Sequence, residues 1–162
     1  MACLADLRLD EDTWNRASEL RRREWLAARE DLIRDGKFGE AFAARWLLAT
    51  PLPAHLRLEA LDEDGYTRAT VLVEHGLLAD SVREYVAIIR RMDENANHRD
   101  TSWFEAVDMA KKVVHDRAAE ILAREVPSLS ADQATLRALF TFYFSLLVDT
   151  TTLHHARGHR YL

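Results

Sequence analysis

Leu56-Arg57-Leu58-Glu59-Ala60-Leu61-Asp62-Glu63-Asp64-Gly65-Tyr66-Thr67-Arg68-Ala69-Thr70-Val71-Leu72-Val73 holds two extended runs around an acidic turn. Leu56, Leu58 and Ala60 alternate with Arg57, Glu59 and Leu61, the two-residue period of a strand with one buried face. Tyr66 to Val73 is rich in β-branched residues, which favour the pleated backbone. Asp64-Gly65 between the runs supplies turn chemistry, so the stretch predicts a β-hairpin.

The preceding run, Phe42 to Thr50, fits a third strand or a short helix. Its alanines favour helix, and Pro51 and Pro53 end it in either case. A third strand would steady the sheet.

On either side of the hairpin the periodicity becomes helical. From Asp10 to Gly36, Trp14, Ala17, Trp25, Ala28 and Leu32 share one face, interrupted by Ser18 and Arg21. Acidic residues open this segment and Gly36 suits its C-terminal end. After the hairpin, Ser81-x-x-Glu84 matches a capping box and predicts a helix with Val82, Tyr85, Ile89 and Met92 inward. Asn95, Asn97 and Asp100 mark a break. Ser102-x-x-Glu105 predicts the start of a helix to about Arg124, and Ser130-x-x-Gln133 the start of another. Ala138 to Val148, interrupted by Thr141 and Ser145, is too short for a membrane span and reads as a buried helix. The fold class expected is α+β: four or more helices with a small two- or three-stranded antiparallel sheet in the middle of the chain. Residues 1–162 read as a single domain, with about 150–162 as a frayed polar tail.

Composition narrows the function classes. The 162 residues carry a formal net charge of −5, where a nucleic-acid binder shows a basic face. Arg21-Arg22-Arg23 is the one dense basic run, flanked by acids; it reads as a solvated helix face rather than a phosphate contact. Cys3 is the only cysteine, which excludes an internal disulfide and fits a reducing compartment. Met1 to Leu9 lacks a secretory pattern. A cytoplasmic protein with no membrane partner is expected. The five glycines form no phosphate-cradling loop and no Gly-x-Ser-x-Gly elbow.

The segment Ser102 to Arg124 carries the chemistry. Trp103, Val107, Ala110, Val114, Ala118 and Ile121 form an apolar stripe, while Glu105, Asp108, Lys112 and His115 stack on another side at spacings of three, four and three. Carboxylates, a cation and an imidazole in line suit proton transfer. His115 would be the acid or base, Asp108 its orienter with Glu105 beside it, and Lys112 the anchor of an anionic substrate. The alternative is a solvated helix face. His155-x-x-x-His159, with Asp149 or His154, has the spacing of metal ligands on a helix, but Gly158 weakens it and a His-rich solvated tail is the preferred reading; no metal and no cofactor are expected. His55, His75 and His98 lie near turns and read as surface residues. Tyr66, Trp46 and the tryptophans of the first helix read as core before pocket lining.

Glu105-Ala106-Val107-Asp108-Met109, then Lys111-Lys112 and His115-Asp116, resembles the most distinctive stretch of Uncharacterised Protein Family 0262, a set of short proteins known chiefly from proteobacteria. Its members carry Glu-Ala-Ile-Asp-Met-Gly-Arg-Arg-Gly-Leu-His-Asn there. The likeness continues through Ala134-Thr135-Leu136-Arg137-Ala138-Leu139-Phe140, and backward through Val82-Arg83-Glu84-Tyr85, Glu63-Asp64-Gly65 and Asp31-Leu32-Ile33 with Phe38. It spans about Leu20 to Val148. This chain has Ala110 and Val113 where the family has glycine, Asp116 where it has asparagine, and a polar tail beyond Leu147. The resemblance implies an architecture and a set of important positions, not a reaction.

Two functions are therefore expected in order. The first is a small cofactor-free enzyme, or enzyme subunit, using acid/base chemistry on a small polar or anionic substrate; the Ala- and Arg-rich composition suits a high-GC source and a role in specialised metabolism. The second is a non-catalytic partner, docking to another protein or to a second copy through apolar surface.

Overall fold

The chain begins with two short strands, β1 (Ala2–Cys3) and β2 (Asp6–Leu9), followed by helices α1 (Glu11–Arg16) and α2 (Glu19–Asp35). Three further strands and one short one come next: β3 (Lys37–Phe38), β4 (Trp46–Pro51), β5 (His55–Leu61) and β6 (Thr67–Glu74). Helices α3 (His75–Glu94), α4 (Thr101–Glu125) and α5 (Gln133–Leu147) complete the order, with a 3₁₀ turn at Pro127–Leu129 between the last two. This computed structural model describes residues 1–94, 100–150 and 153.

The hairpin forms as its alternation requires. In β5, Leu56, Leu58 and Ala60 are buried; Leu58 pairs with Val71 and Leu56 with Val73 of β6. One residue organises the turn. The Asp62 carboxylate accepts the backbone N–H groups of Asp64 (3.0 Å) and Tyr66 (2.9 Å), and Gly65 takes the left-handed φ of 86° that this turn needs. These backbone bonds to the ionised carboxyl hold the Asp62 pKa below its usual range.

The sheet is larger than expected. Within Phe42 to Thr50 the strand begins only at Trp46, after a turn: β4 runs antiparallel to β5 and parallel to β2, giving a four-stranded mixed sheet in the order β2-β4-β5-β6. β4 buries Leu47, Ala49 and Thr50, and its other face carries the half-buried apolar Trp46 and Leu48, so the run reads apolar on both faces and lacks clean alternation. Its one alanine, Ala49, and Ala44 just before the strand are fully buried, so the alanines here mark close packing and not a helix. The parallel pairing needs a crossover, which α1 and α2 provide. β1 and β3 form a separate two-stranded sheet.

The helix boundaries shift from the sequence expectation for consistent reasons. The first helical segment is two helices, because Ser18 caps α2 by accepting the Arg21 N–H (3.2 Å). Ser81 is not a cap: α3 begins at His75, directly after β6, and the Ser81 hydroxyl is buried inside the helix without a hydrogen bond. Asp100, not Ser102, caps α4 by accepting the Trp103 N–H at 2.7 Å. Asp132, not Ser130, caps α5 through the Thr135 N–H at 2.9 Å. In each pair a carboxylate lies two residues from the serine and adds charge at the positive helix end. Asn95 and Asn97 lie outside the described residues.

One core joins sheet and helices. α5 is buried almost all round: Phe140, Phe142 and Tyr143 are at most 1% exposed, each worth roughly 1.5–3 kcal/mol of burial. Trp25, Ala28 and Leu32 of α2 meet it. The tryptophan indole donates to the Ser145 carbonyl (2.8 Å) and Arg21 to the Leu146 carbonyl (2.8 Å), which occupies two of the orphan acceptors at the end of α5. The Arg21-Arg22-Arg23 run is thus not a solvated face. Arg21 and Arg22 turn inward, Arg22 donating to the Trp14 carbonyl at 2.8 Å, and Arg23 alone is largely exposed. His75 is likewise no surface residue: its Nδ1 meets the Tyr143 hydroxyl (2.9 Å) and its Nε2 the Leu52 carbonyl (2.8 Å), fastening the β4–β5 loop to α5. Tyr66 is 72% exposed and stays out of the core. No described helix is long and apolar enough to cross a membrane.

Candidate functional site

α4 has two neighbours, and this decides which of its side chains meet. Arg117 pairs with Glu84 of α3 (2.8 Å), while Asp116 pairs with Arg137 of α5. The flank carrying Asp108, Lys112 and His115 is open to solvent at Asp108 and Lys112, which are exposed, and half-buried at His115. It faces α5 and, across a gap, α2. The gap is a cleft of about 700 Å³, walled by Asp31, Arg34 and Asp35 of α2, by Asp108, Lys111, Lys112 and His115 of α4, and by Gln133, Arg137 and Thr141 of α5. Such a size is ordinary for a small-molecule site.

His115 is the best-fixed member. Its Nδ1 lies 2.8 Å from the Lys111 backbone carbonyl and its Nε2 lies 3.1 Å from the Thr141 hydroxyl. A carbonyl can only accept, so Nδ1 carries the hydrogen and Nε2 is the basic nitrogen. The ring also meets Tyr85 and Phe140 edge-on, at centroid distances of 5.0 and 5.2 Å. Burial pushes its pKa below the ordinary 6.5, and the nearby Arg137 and Lys111 charges push the same way against the Lys111 carbonyl and Asp116. The imidazole is neutral at pH 7.

The charges around it divide into tied and untied. Arg34 is paired with Asp31 (3.2 Å) and with Asp35 (3.1 Å), and its hydrogen bond keeps the Asp35 carboxyl below the usual range. Arg137 is held by Asp116. Asp108, Lys111 and Lys112 make no ion pair among the described residues, although they line the same cleft. The two lysines are thus the wall's unneutralised cations.

Three of the four residues singled out from the sequence come together: Asp108, Lys112 and His115. Glu105 is exposed near the start of α4 and does not line the cleft. What orients His115 is the Lys111 carbonyl with Thr141, and Asp108 makes no hydrogen bond to it. Thr141 had a signal in the sequence as a polar interruption of an apolar helix. Lys111 and Arg137 stood inside the segments of family resemblance. Asp31 stood inside the resemblance too, but Arg34 and Asp35 had no signal, because their place depends on α2 packing against α5. His154, His155 and His159 lie outside the described residues, and among the described ones no group of three or more His, Cys, Asp or Glu side chains could hold a metal.

Comparison with known proteins agrees with the resemblance and extends it to the N-terminus. The model of the Uncharacterised protein family (UPF0262) matches residues 1–148. A curated UPF0262 protein from Novosphingobium aromaticivorans is 33% identical over 91 residues, covering 53% of this chain and 56% of that relative, so the match spans little more than half the relative's length. No solved structure matches. With nearly the whole described chain inside the family's bounds, the protein belongs to the uncharacterised protein family UPF0262.

Proposed function

We propose that the protein is a small cofactor-free enzyme, or an enzyme subunit, that performs acid/base chemistry on a small polar or anionic substrate in the α2–α4–α5 cleft. The observation that carries this reading is a neutral, half-buried imidazole at a cleft wall that also bears two unneutralised lysines. A neutral imidazole is ready to take a proton near pH 7. His115 is the base, with Nε2 as the accepting atom. Lys112, with Lys111, holds the substrate's anionic group and stabilises negative charge that grows as the proton leaves. Asp108 contributes a carboxylate facing the same space, and Glu105 has no part in the step. Thr141 is a positioning residue, since it holds the ring through Nε2.

The test is depletion of a pooled extract of small polar metabolites, followed by mass spectrometry. Wild type should consume an anionic species that His115→Gln leaves intact. Equal consumption by both proteins removes His115 as the base. No consumption by wild type removes the enzyme reading altogether. A second reading, a non-catalytic partner or subunit, is favoured by one observation: Met109 and Val113, a turn apart on α4, are 61% and 45% exposed.

A further inference from the structure

The polar cleft does not end at His115. A second hollow of about 390 Å³ opens beside it and shares Asp31, Lys111 and Thr141 with the first. Its character is different. Ala27 and Ala28 of α2, Tyr85, Ile89 and Met92 of α3, and Phe144 of α5 give it mainly apolar walls, and Glu24 bonded to Thr150 stands at its rim. The imidazole lies at the junction, its edge against the Tyr85 ring that lines the apolar arm. Lys111, which takes part in no ion pair among the described residues, lines both arms.

Resting on the reading of the cleft as a substrate site, we infer that the ligand is a small amphiphilic carboxylate. Its apolar chain lies between α2 and α3, and its carboxylate lies at Lys111 and Lys112 beside His115. A purely polar ligand would leave the apolar arm wet. A purely apolar one would bury nothing against the lysines, whose charge needs an anion or water. One molecule with both ends satisfies both arms, and the apolar end supplies most of the affinity because water leaves both surfaces.

The probes are octanoate, acetate and 1-octanol, each titrated into the full chain by calorimetry and by the ¹⁵N–¹H spectrum. Octanoate should bind at least about tenfold more tightly than either partial ligand. Ala27→Trp fills the apolar arm from an exposed helix position. It should weaken octanoate about tenfold and leave the acetate response at Lys112 unchanged. Lys111→Gln should weaken octanoate and acetate together, and circular dichroism of both variants checks that they fold. Acetate binding as tightly as octanoate, or octanoate indifferent to Ala27→Trp, overturns the amphiphile while the polar-substrate reading survives. Octanol matching octanoate overturns the carboxylate. No response of residues 108–115 to any probe overturns this inference and the substrate site with it.

Discussion

Removing the Thr135 hydroxyl while keeping its shape, by Thr135→Val, should cost far more than a surface substitution. Thr135 is 0% exposed at the first turn of α5. Its hydroxyl accepts the Lys37 N–H at 2.9 Å. Its single proton is offered to the Asp132 carboxylate at 2.5 Å, with the Asp35 carbonyl at 3.0 Å and the Lys37 carbonyl at 3.3 Å as further acceptors. The group thus clasps the end of α2 and strand β3 to the start of α5, beneath the cleft wall formed by Asp35 and Gln133. Valine keeps the volume and strands the Lys37 amide together with an acceptor. A stranded partly buried group costs about 1–3 kcal/mol, so about 2 kcal/mol is expected. For a chain of this length that lowers Tm by roughly 4–8 °C. Thr135→Ser keeps the hydroxyl and loses one buried methyl, about 0.8 kcal/mol and roughly 2–3 °C. Calorimetric melting of the three proteins decides the matter. Serine at least as damaging as valine would mean that packing, not the hydroxyl clasp, joins α2 to α5.

Two further outcomes follow from single contacts. His115 has a native pKa below its ordinary 6.5, so between those values the unfolded chain binds more protons than the native one. Stability is full above about pH 6.5 and falls as pH drops through the native value, with a slope of at most about 1.4 kcal/mol per pH unit; urea unfolding at pH 7.5 and 5.5 should show a drop that shrinks in His115→Gln, and an identical drop in both would refute the assignment. At Gly39, a Cβ would lie 2.2 Å from the Ser130 hydroxyl oxygen and 3.0 Å from its carbonyl oxygen. Gly39→Ala should therefore cost about 1–3 kcal/mol; Ser130→Gly removes that side chain and suits the left-handed φ of 49° at this position, so the double variant should melt above Gly39→Ala alone, and a strictly additive pair would exclude the clash.

What the sequence made legible was local. The hairpin was readable because alternation, β-branching and an Asp-Gly turn agree within 18 residues. The long helices were readable from their 3.6-residue stripes, while their first residues were not, because serine and aspartate compete as caps and only packing shows which one wins. β2 escaped notice because four residues carry too little pattern, and its partner β4 lies about 40 residues away across the crossover. β4 itself was ambiguous because Trp46 and Leu48 on one face are as apolar as Leu47 and Ala49 on the other, which erases the alternation that marks a strand. In the candidate site, Asp108, Lys112 and His115 were legible from their spacing on one helix. The opposite wall was not, since Asp31, Arg34 and Asp35 become neighbours of His115 only once α2 lies on α5.

The same geometry also reconciles two roles for His115. A histidine with both ring nitrogens occupied looks like a purely structural residue, yet the partners of His115 suit a proton acceptor. The Lys111 carbonyl needs Nδ1–H in both protonation states and never has to move. Thr141 has one hydroxyl proton and two places to put it. With the imidazole neutral it donates to Nε2 at 3.1 Å; with Nε2 protonated it accepts there and turns its own proton to the Arg137 carbonyl at 3.3 Å. Rotation of one hydroxyl therefore accommodates either state without displacing a ring that is packed edge-on between Tyr85 and Phe140. Burial keeps the neutral state dominant, and His115 and Thr141 both line the cleft, which gives a ligand access to the pair. Rigid placement and proton uptake are thus compatible at this position because the adjustable part is the threonine, the one polar residue that breaks the apolar run of α5 between Ala138 and Phe144.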